Sequence, residues 1–255
     1  MYRVVTAAAA LLLCAFVPAM EANAADIKIL SPGATEGVLN ELLPQFEQAS
    51  GHRVTITYGP AGNIANRVRK GEAVDVLISS ESEAERLGKE RITVDGSQAI
   101  VSRVGIGLFV RKGDPKPDIS TAAAFERALA SAKVIAYADP KLGGSVSILV
   151  AEILRSLDVT GSIGARTRLV PPAKPLIDLV AGGGVDFGFQ PVAQIFLDPR
   201  VEYVGPIPAP YQQYTNYVAS LVATSQQPEA YKALLTFLDS PAAAKAWRSQ
   251  GFEPR

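Results

Sequence analysis

Ser145 follows two glycines in the stretch ADPKLGGS, and the residues after it open an apolar run, VSILVAEILRSL. Another apolar run, VIAY, precedes the stretch, so it reads as strand, glycine turn and helix start, with Gly143, Gly144, Ser145 and Val146 at the junction. A helix start concentrates unpaired backbone N–H groups and a partial positive charge, which together hold an anion without any lysine. The stretch lacks the Gly-Lys-Ser/Thr ending of a nucleotide P-loop and the G-x-G-x-x-G spacing of a dinucleotide site. Residues of similar type recur at Gly33, Ala34 and Thr35 after the strand-like DIKIL, at Ala61, Gly62 and Asn63 after RVTITYGP, and at Gln190 after VDFGF. The expected site is therefore an anion cradle. Amides near Gly144 to Val146 and the Ser145 hydroxyl form one half, Gly33 to Thr35 and Ala61 to Asn63 the other, and Gln190 fixes orientation. Blander readings stay open beside it: Ser145 as a helix cap, Asn63 as a turn or cap residue, Gln190 as a partner for a neighbouring loop.

Other chemistries find less support. Gly143-Gly144-Ser145-Val146-Ser147 approaches the G-x-S-x-G nucleophile elbow but ends in serine where glycine is needed, and a hydrolase requires a base for the serine proton. The sole histidine, His52, follows Ser50-Gly51 in a predicted turn and reads as a solvated surface residue without zinc-ligand partners. Asp75 and Asp186 occupy corresponding strand starts, where a structural role is expected. Tyr211, Tyr214 and Tyr217 read as core or hinge packing, with Tyr214 or Thr215 facing the cleft as the less favoured reading. No catalytic residue, cofactor or coordinated metal cation is expected; a secreted hydrolase or lyase using Ser145 is the alternative.

The elements that must position these residues form a pattern that occurs twice. DIKIL, SPGAT and EGVLNELLPQF give strand, turn and helix; VIAYA, DPKLGG and SVSILVAEILRSL repeat the order. Each unit continues through a strand, a Pro-containing loop, a helix and a glycine break to a strand beginning near Val-Asp. Tyr58 to Asp75 spans 17 positions and Val170 to Asp186 spans 16. Two such units suit an α/β fold of two lobes, each presenting loops at the carboxyl ends of parallel strands to a shared cleft. The expected first lobe comprises residues 26–104 with 210–255, and the second 105–209. RVGIGLFVRKGDPKP and VEYVGPIPAPYQQYTNYVASLVAT supply two extended hinge crossings. A C-terminal pair of helices, the second capped at Ser240-Pro241 and stopped by glycine, packs back on the first lobe.

The 255 residues carry 25 basic and 25 acidic side chains and are 48% hydrophobic, a balance that gives no footprint for nucleic acid. The N-terminus differs: a short basic start, the apolar VVTAAAALLLCAFV and the small-x-small triplet Ala22-Asn23-Ala24 read as a secretory signal over residues 1–24. Its apolar core falls short of the roughly 20 residues of a spanning helix. Cleavage also removes the only cysteine, Cys14, leaving a disulfide-free chain compatible with a periplasm.

Through SPGATEGVLNELLPQFE, GEAVDVLISS, SRVGIGLFVRKGDPKPDIS, AYADPKLGGS and VDFGFQPVAQI, the chain resembles periplasmic solute-binding proteins of the molybdate-binding type, components of ABC importers. The resemblance implies a two-lobed class II periplasmic-binding-protein fold, an oxyanion held between lobes by hydroxyls and backbone N–H groups, and an ABC permease as partner of a monomeric receptor. At the binding positions the sequence departs from that pattern. The first turn places Ala34, between Ser31 and Thr35, where the family usually offers serine. The second loop reads Gly59-Pro60-Ala61-Gly62-Asn63 in place of a small-Ser-Ser step, and Gly188-Phe189-Gln190 leads to Pro191 instead of tyrosine. Ser145 alone keeps a hydroxyl near its expected place. An oxyanion leaving water must recover several charge-assisted hydrogen bonds, so a small organic carboxylate competes with molybdate as the expected ligand. A ligand sensor without transport is a further alternative, since both uses read lobe closure.

Overall fold

The computed structural model describes residues 24–142, 144–157, 162–171 and 174–254. Residues 1–23 of the expected signal, and Gly143, lie outside the described residues. Among the described residues no helix is long and apolar enough to cross a membrane.

The first unit runs β1 (Asp26–Pro32), a 3-10 turn (Gly33–Thr35), α1 (Glu36–Ser50), β2 (Arg53–Gly59), α2 (Ala61–Arg69), β3 (Val76–Ser80) and α3 (Glu81–Lys89). Strands β1 and β3 are buried along most of their length, as parallel strands covered on both faces must be, whereas β2 alternates between exposed and half-buried residues. Helix α1 buries Val38, Leu39, Leu42, Leu43 and Phe46 along one stripe. It ends at Gly51, whose φ of 75° closes the helix with its N–H on the Glu47 carbonyl.

Strand β4 (Ala99–Arg111) leads to α4 (Ala122–Ser131). The second unit then repeats the first: β5 (Ile135–Ala138), α5 (Ser145–Leu157), α6 (Ser162–Ala165), β6 (Thr167–Val170), α7 (Lys174–Ala181), β7 (Phe187–Pro191) and α8 (Val192–Ile195). Strands β8 (Val201–Pro206) and β9 (Tyr214–Leu221) return the chain to α9 (Pro228–Leu238), α10 (Pro241–Ser249) and β10 (Phe252–Pro254). The strand order is β2-β1-β3-β9-β4-β7-β5-β6, with β8 and β10 also on β4. Three parallel strands stand at each end of this path, β2-β1-β3 and β6-β5-β7. Each trio abuts an antiparallel neighbour, β9 in one case and β4 in the other.

The repetition extends to side chains. Asp75 accepts the Lys28 amide at 2.9 Å, while Asp186 accepts those of Lys133 and Val134 at 2.6 and 2.8 Å. Each aspartate therefore anchors the start of the central parallel strand of its own trio.

Strand β4 is shared between the halves. Residues 99–105 pair with β9 and residues 106–109 with β7, so one strand passes from one sheet region into the other. Two large apolar clusters flank it, one around Val38, Leu42, Phe46, Tyr217 and Trp247, the other around Leu108, Phe125, Ile153 and Phe189. The terminal helices contribute Leu234, Leu238 and Trp247 to the first cluster, and Ser240 caps α10 by accepting the Ala243 amide at 3.2 Å. Helix α8 joins the halves: Val192 and Ala193 pack into the first cluster, Ile195 into a smaller one with Phe109. The architecture is mixed α/β, the class expected from the sequence.

Candidate functional site

A cavity of about 360 Å³ opens between the two halves, where the carboxyl ends of β1, β2, β5 and β7 meet. Pro32, Gly33, Ala34 and Glu36 line it from the end of β1 and the start of α1. Tyr58 to Ala61 contribute from the end of β2 and the start of α2. Opposite them stand Ala138, Gly144 to Ser147, Phe189 to Pro191 and Gln194, with Tyr217 of β9 completing the wall. The walls are largely apolar, and no lysine, arginine or histidine is among these residues.

Donors reach the cavity mainly through the backbone. The Ile148 amide bonds the Gly144 carbonyl at 3.2 Å as the first turn of α5 closes, and helix geometry leaves the amides of Ser145 to Ser147 without an intrahelical acceptor. Helix α2 begins likewise: the amides of Asn63 and Ile64 share the Pro60 carbonyl at 2.9 and 3.1 Å, which leaves those of Ala61 and Gly62 outside the helical pattern. The starts of α1, α2 and α5 all adjoin the cavity wall, so their partial positive ends reinforce one another there. Gln190 adds a side-chain donor. It is 2% exposed, and its Nε2 has no hydrogen-bond partner among the described residues, an unusual state for a buried amide.

Of the residues expected from sequence, Gly33, Ala34, Ala61, Gly144, Ser145, Val146 and Gln190 meet on this wall. Thr35, Gly62 and Asn63 do not line it. Thr35 is fully buried in the 3-10 turn, its hydroxyl donating to the Pro32 carbonyl at 2.8 Å and paired with Ser31 Oγ at 2.6 Å. The turn thus consumes both hydroxyls that flank Ala34. Asn63 is exposed one turn into α2, its amide spent on Pro60. Ser147 also turns inward, donating to the Gly144 carbonyl at 2.7 Å.

Sequence reasoning did not select Glu36, Tyr58 or Gln194. Glu36 opens α1 and is exposed, and nothing separates it in sequence from an ordinary first-turn acid. Tyr58 ends the alternating pattern of β2 and donates to Asn40 Oδ1 at 2.8 Å. Burial, and then the charge of Glu36, push its phenol well above the usual range, so it stays a neutral O–H. Of the three tyrosines assigned to core or hinge, Tyr217 is buried and lines the cavity, while Tyr214 is exposed with Arg103 over its ring at 4.6 Å. His52 is not a solvated residue. It is 6% exposed, its Nδ1 accepts the Ala25 amide at 3.1 Å and its ring packs against Phe46, because α1 and β2 converge where the turn begins. Among the described residues no cluster of three or more His, Cys, Asp or Glu is placed to hold a metal ion.

Comparison with known proteins agrees with this architecture. Residues 27–253 match the family described as bacterial extracellular solute-binding protein. A Pseudomonas protein named aconitate isomerase is 33% identical over 258 residues, covering 99% of this chain and 97% of the relative. The molybdate-binding protein ModA of Azotobacter vinelandii is 24% identical over 257 residues, covering 98% and 96%. The solved periplasmic molybdate-binding protein from the same organism superposes with a TM-score of 0.75 at 19% identity, over 90% of this chain and 99% of its own.

Proposed function

The chain belongs to the bacterial extracellular solute-binding protein family, and from that membership we propose that its cleft binds a small organic polycarboxylate for delivery to an ABC permease. The observation that carries this reading is the wall itself. Its donors are helix-start amides, the Ser145 hydroxyl and the Gln190 amide, which is unpartnered among the described residues, and most of its remaining surface is apolar. Amides at separate helix starts suit carboxylates at separate ends of a carbon skeleton, and the apolar residues suit the skeleton. Size points the same way: at about 30 Å³ per water-sized group, 360 Å³ holds more atoms than a tetrahedral oxyanion has. The hydroxyls of Ser31 and Thr35, which flank Ala34, are turned to internal bonds and not to an oxyanion.

Calorimetry and thermal shift across citrate, cis- and trans-aconitate, molybdate, tungstate and sulfate test the proposal. Polycarboxylates are expected to bind most tightly, and Ser145→Ala to weaken them by about 1–3 kcal/mol through loss of a donor that the bound ligand covers. Tight molybdate binding with no response to any carboxylate would overturn it. Uptake of the bound carboxylate by cells carrying the cognate permease separates import from sensing. Export through removal of residues 1–24 belongs to the same reading, and intact mass of the secreted protein should show a chain beginning at Ala25.

A second reading, in which the cleft also isomerises an unsaturated polycarboxylate, is favoured by the likeness to the Pseudomonas aconitate isomerase along nearly the whole of both chains.

A further inference from the structure

Among the described residues, Glu36 is the one charged side chain on the cavity wall. In a site otherwise made of N–H donors a carboxylate opposes the binding of anions, so it weakens a receptor unless it acts on the ligand. Its backbone amide is already bound to the Gly33 carbonyl, which leaves the side chain as what it offers the cavity. The other protic groups there are poor bases. Tyr58 is held neutral, the Ser147 hydroxyl is committed to Gly144, and Ser145 has no imidazole or amine on the wall to take its proton. Glu36 thus supplies the carboxylate base among the described wall residues.

We propose that Glu36 is a catalytic base for an allylic proton transfer in a bound unsaturated polycarboxylate, an inference that rests on the isomerase reading of the cleft. A carboxylate oxygen of Glu36 takes a proton from the methylene carbon that lies between a carboxylate and the carbon–carbon double bond. The C–H bond breaks, and its electron pair spreads over the allyl unit into the adjoining carboxylates. The amides at the starts of α2 and α5 stabilise that added charge. Glu36 then returns the proton to the far end of the allyl unit, the double bond moves by one carbon, and the carboxylate is regenerated. No oxidant, reductant or metal enters the balance.

The test is proton NMR of trans-aconitate incubated with the protein in deuterated water. Wild type should wash deuterium into the methylene and vinyl positions and generate the cis isomer. Glu36→Gln should slow both by at least about 100-fold, the usual scale of a general base, while binding trans-aconitate by calorimetry at least as tightly as wild type, since a repulsive charge is gone. Glu36→Asp, which keeps the carboxylate, should retain part of the rate, and Glu41→Gln on the same helix should leave it unchanged. Turnover by wild type that survives in Glu36→Gln overturns the role of Glu36 and leaves the isomerase reading standing. Binding by wild type with no exchange and no isomer overturns both and leaves the receptor. Loss of rate together with binding and melting temperature in Glu36→Gln, with no activity in Glu36→Asp, assigns the residue to structure instead.

Discussion

Gln190 carries two opposed demands. As a residue of β7 its backbone pairs opposite Gly107 of β4, while its amide nitrogen is buried without a partner among the described residues. Leaving such a donor unsatisfied costs about 1–3 kcal/mol, a cost that a ligand acceptor in the cavity removes. Gln190→Met keeps length and removes polarity, so it should raise the melting temperature of the ligand-free protein and weaken ligand binding. Calorimetry and thermal melts on the same samples check both signs; a lower melting temperature would show that the amide is satisfied within the fold. Ser145 and Ala34 differ from it in kind. Their places were legible because glycine turns before apolar helix patterns announce amide donors, whereas Thr35 was misplaced because hydroxyl chemistry in a sequence does not reveal which hydroxyl a tight turn uses for itself.

At the level of elements, the paired aspartates explain why Val-Asp recurs at the head of β3 and β7. Asp75 also accepts the Ser225 hydroxyl at 2.6 Å, so its loss frees a side chain as well as a strand amide. Asp75→Ala and Asp186→Ala should each destabilise by about 1–2 kcal/mol, read from denaturant midpoints, with little change in ligand affinity. A charged cluster near α7 and β8 predicts a pH effect. The Arg200 guanidinium makes bonds of 2.6 and 2.9 Å with Asp198 and holds its carboxyl down at about 2, from an ordinary 3.8. A depressed folded-state pKa stabilises above the ordinary value and ceases to do so as pH falls through the folded one. Asp198→Asn should therefore melt slightly lower than wild type at neutral pH, with the gap closing between about pH 4 and 2; the effect is small because Arg200 is half exposed.

For the whole molecule, we propose that residues 26–104 with 210–255 and residues 105–209, joined by the shared strand β4 and the return through β8 and β9, act as two lobes that close on a ligand. The seam between them is tight at one point. A Cβ on Gly37 of α1 would lie 2.9 Å from Leu197 Cδ2, just beyond α8, and too close to Gln250 Oε1. Gly37→Val should wedge the seam without adding a group to the cavity wall, lowering ligand affinity and removing any ligand-induced fall in radius of gyration measured by small-angle scattering. An unaltered ligand response in that variant would place the closing motion elsewhere.

Periodicity and turn chemistry alone determined the duplicated α/β plan, the capped last helix and the glycine-rich helix start at Ser145, because each depends on contacts within a few residues. The family resemblance rested on the same local stretches. Tertiary structure decided which of those loops share a cavity, since that depends on parallel trios brought together through β4. It also decided that Glu36, Tyr58, Gln194 and Tyr217 join them, and that His52 is buried. An acid in the first turn of a helix, an aromatic at the end of an edge strand and a histidine after a glycine have the same local appearance whether they face water, a neighbouring helix or a ligand. Only the packing of one half against the other distinguishes those environments.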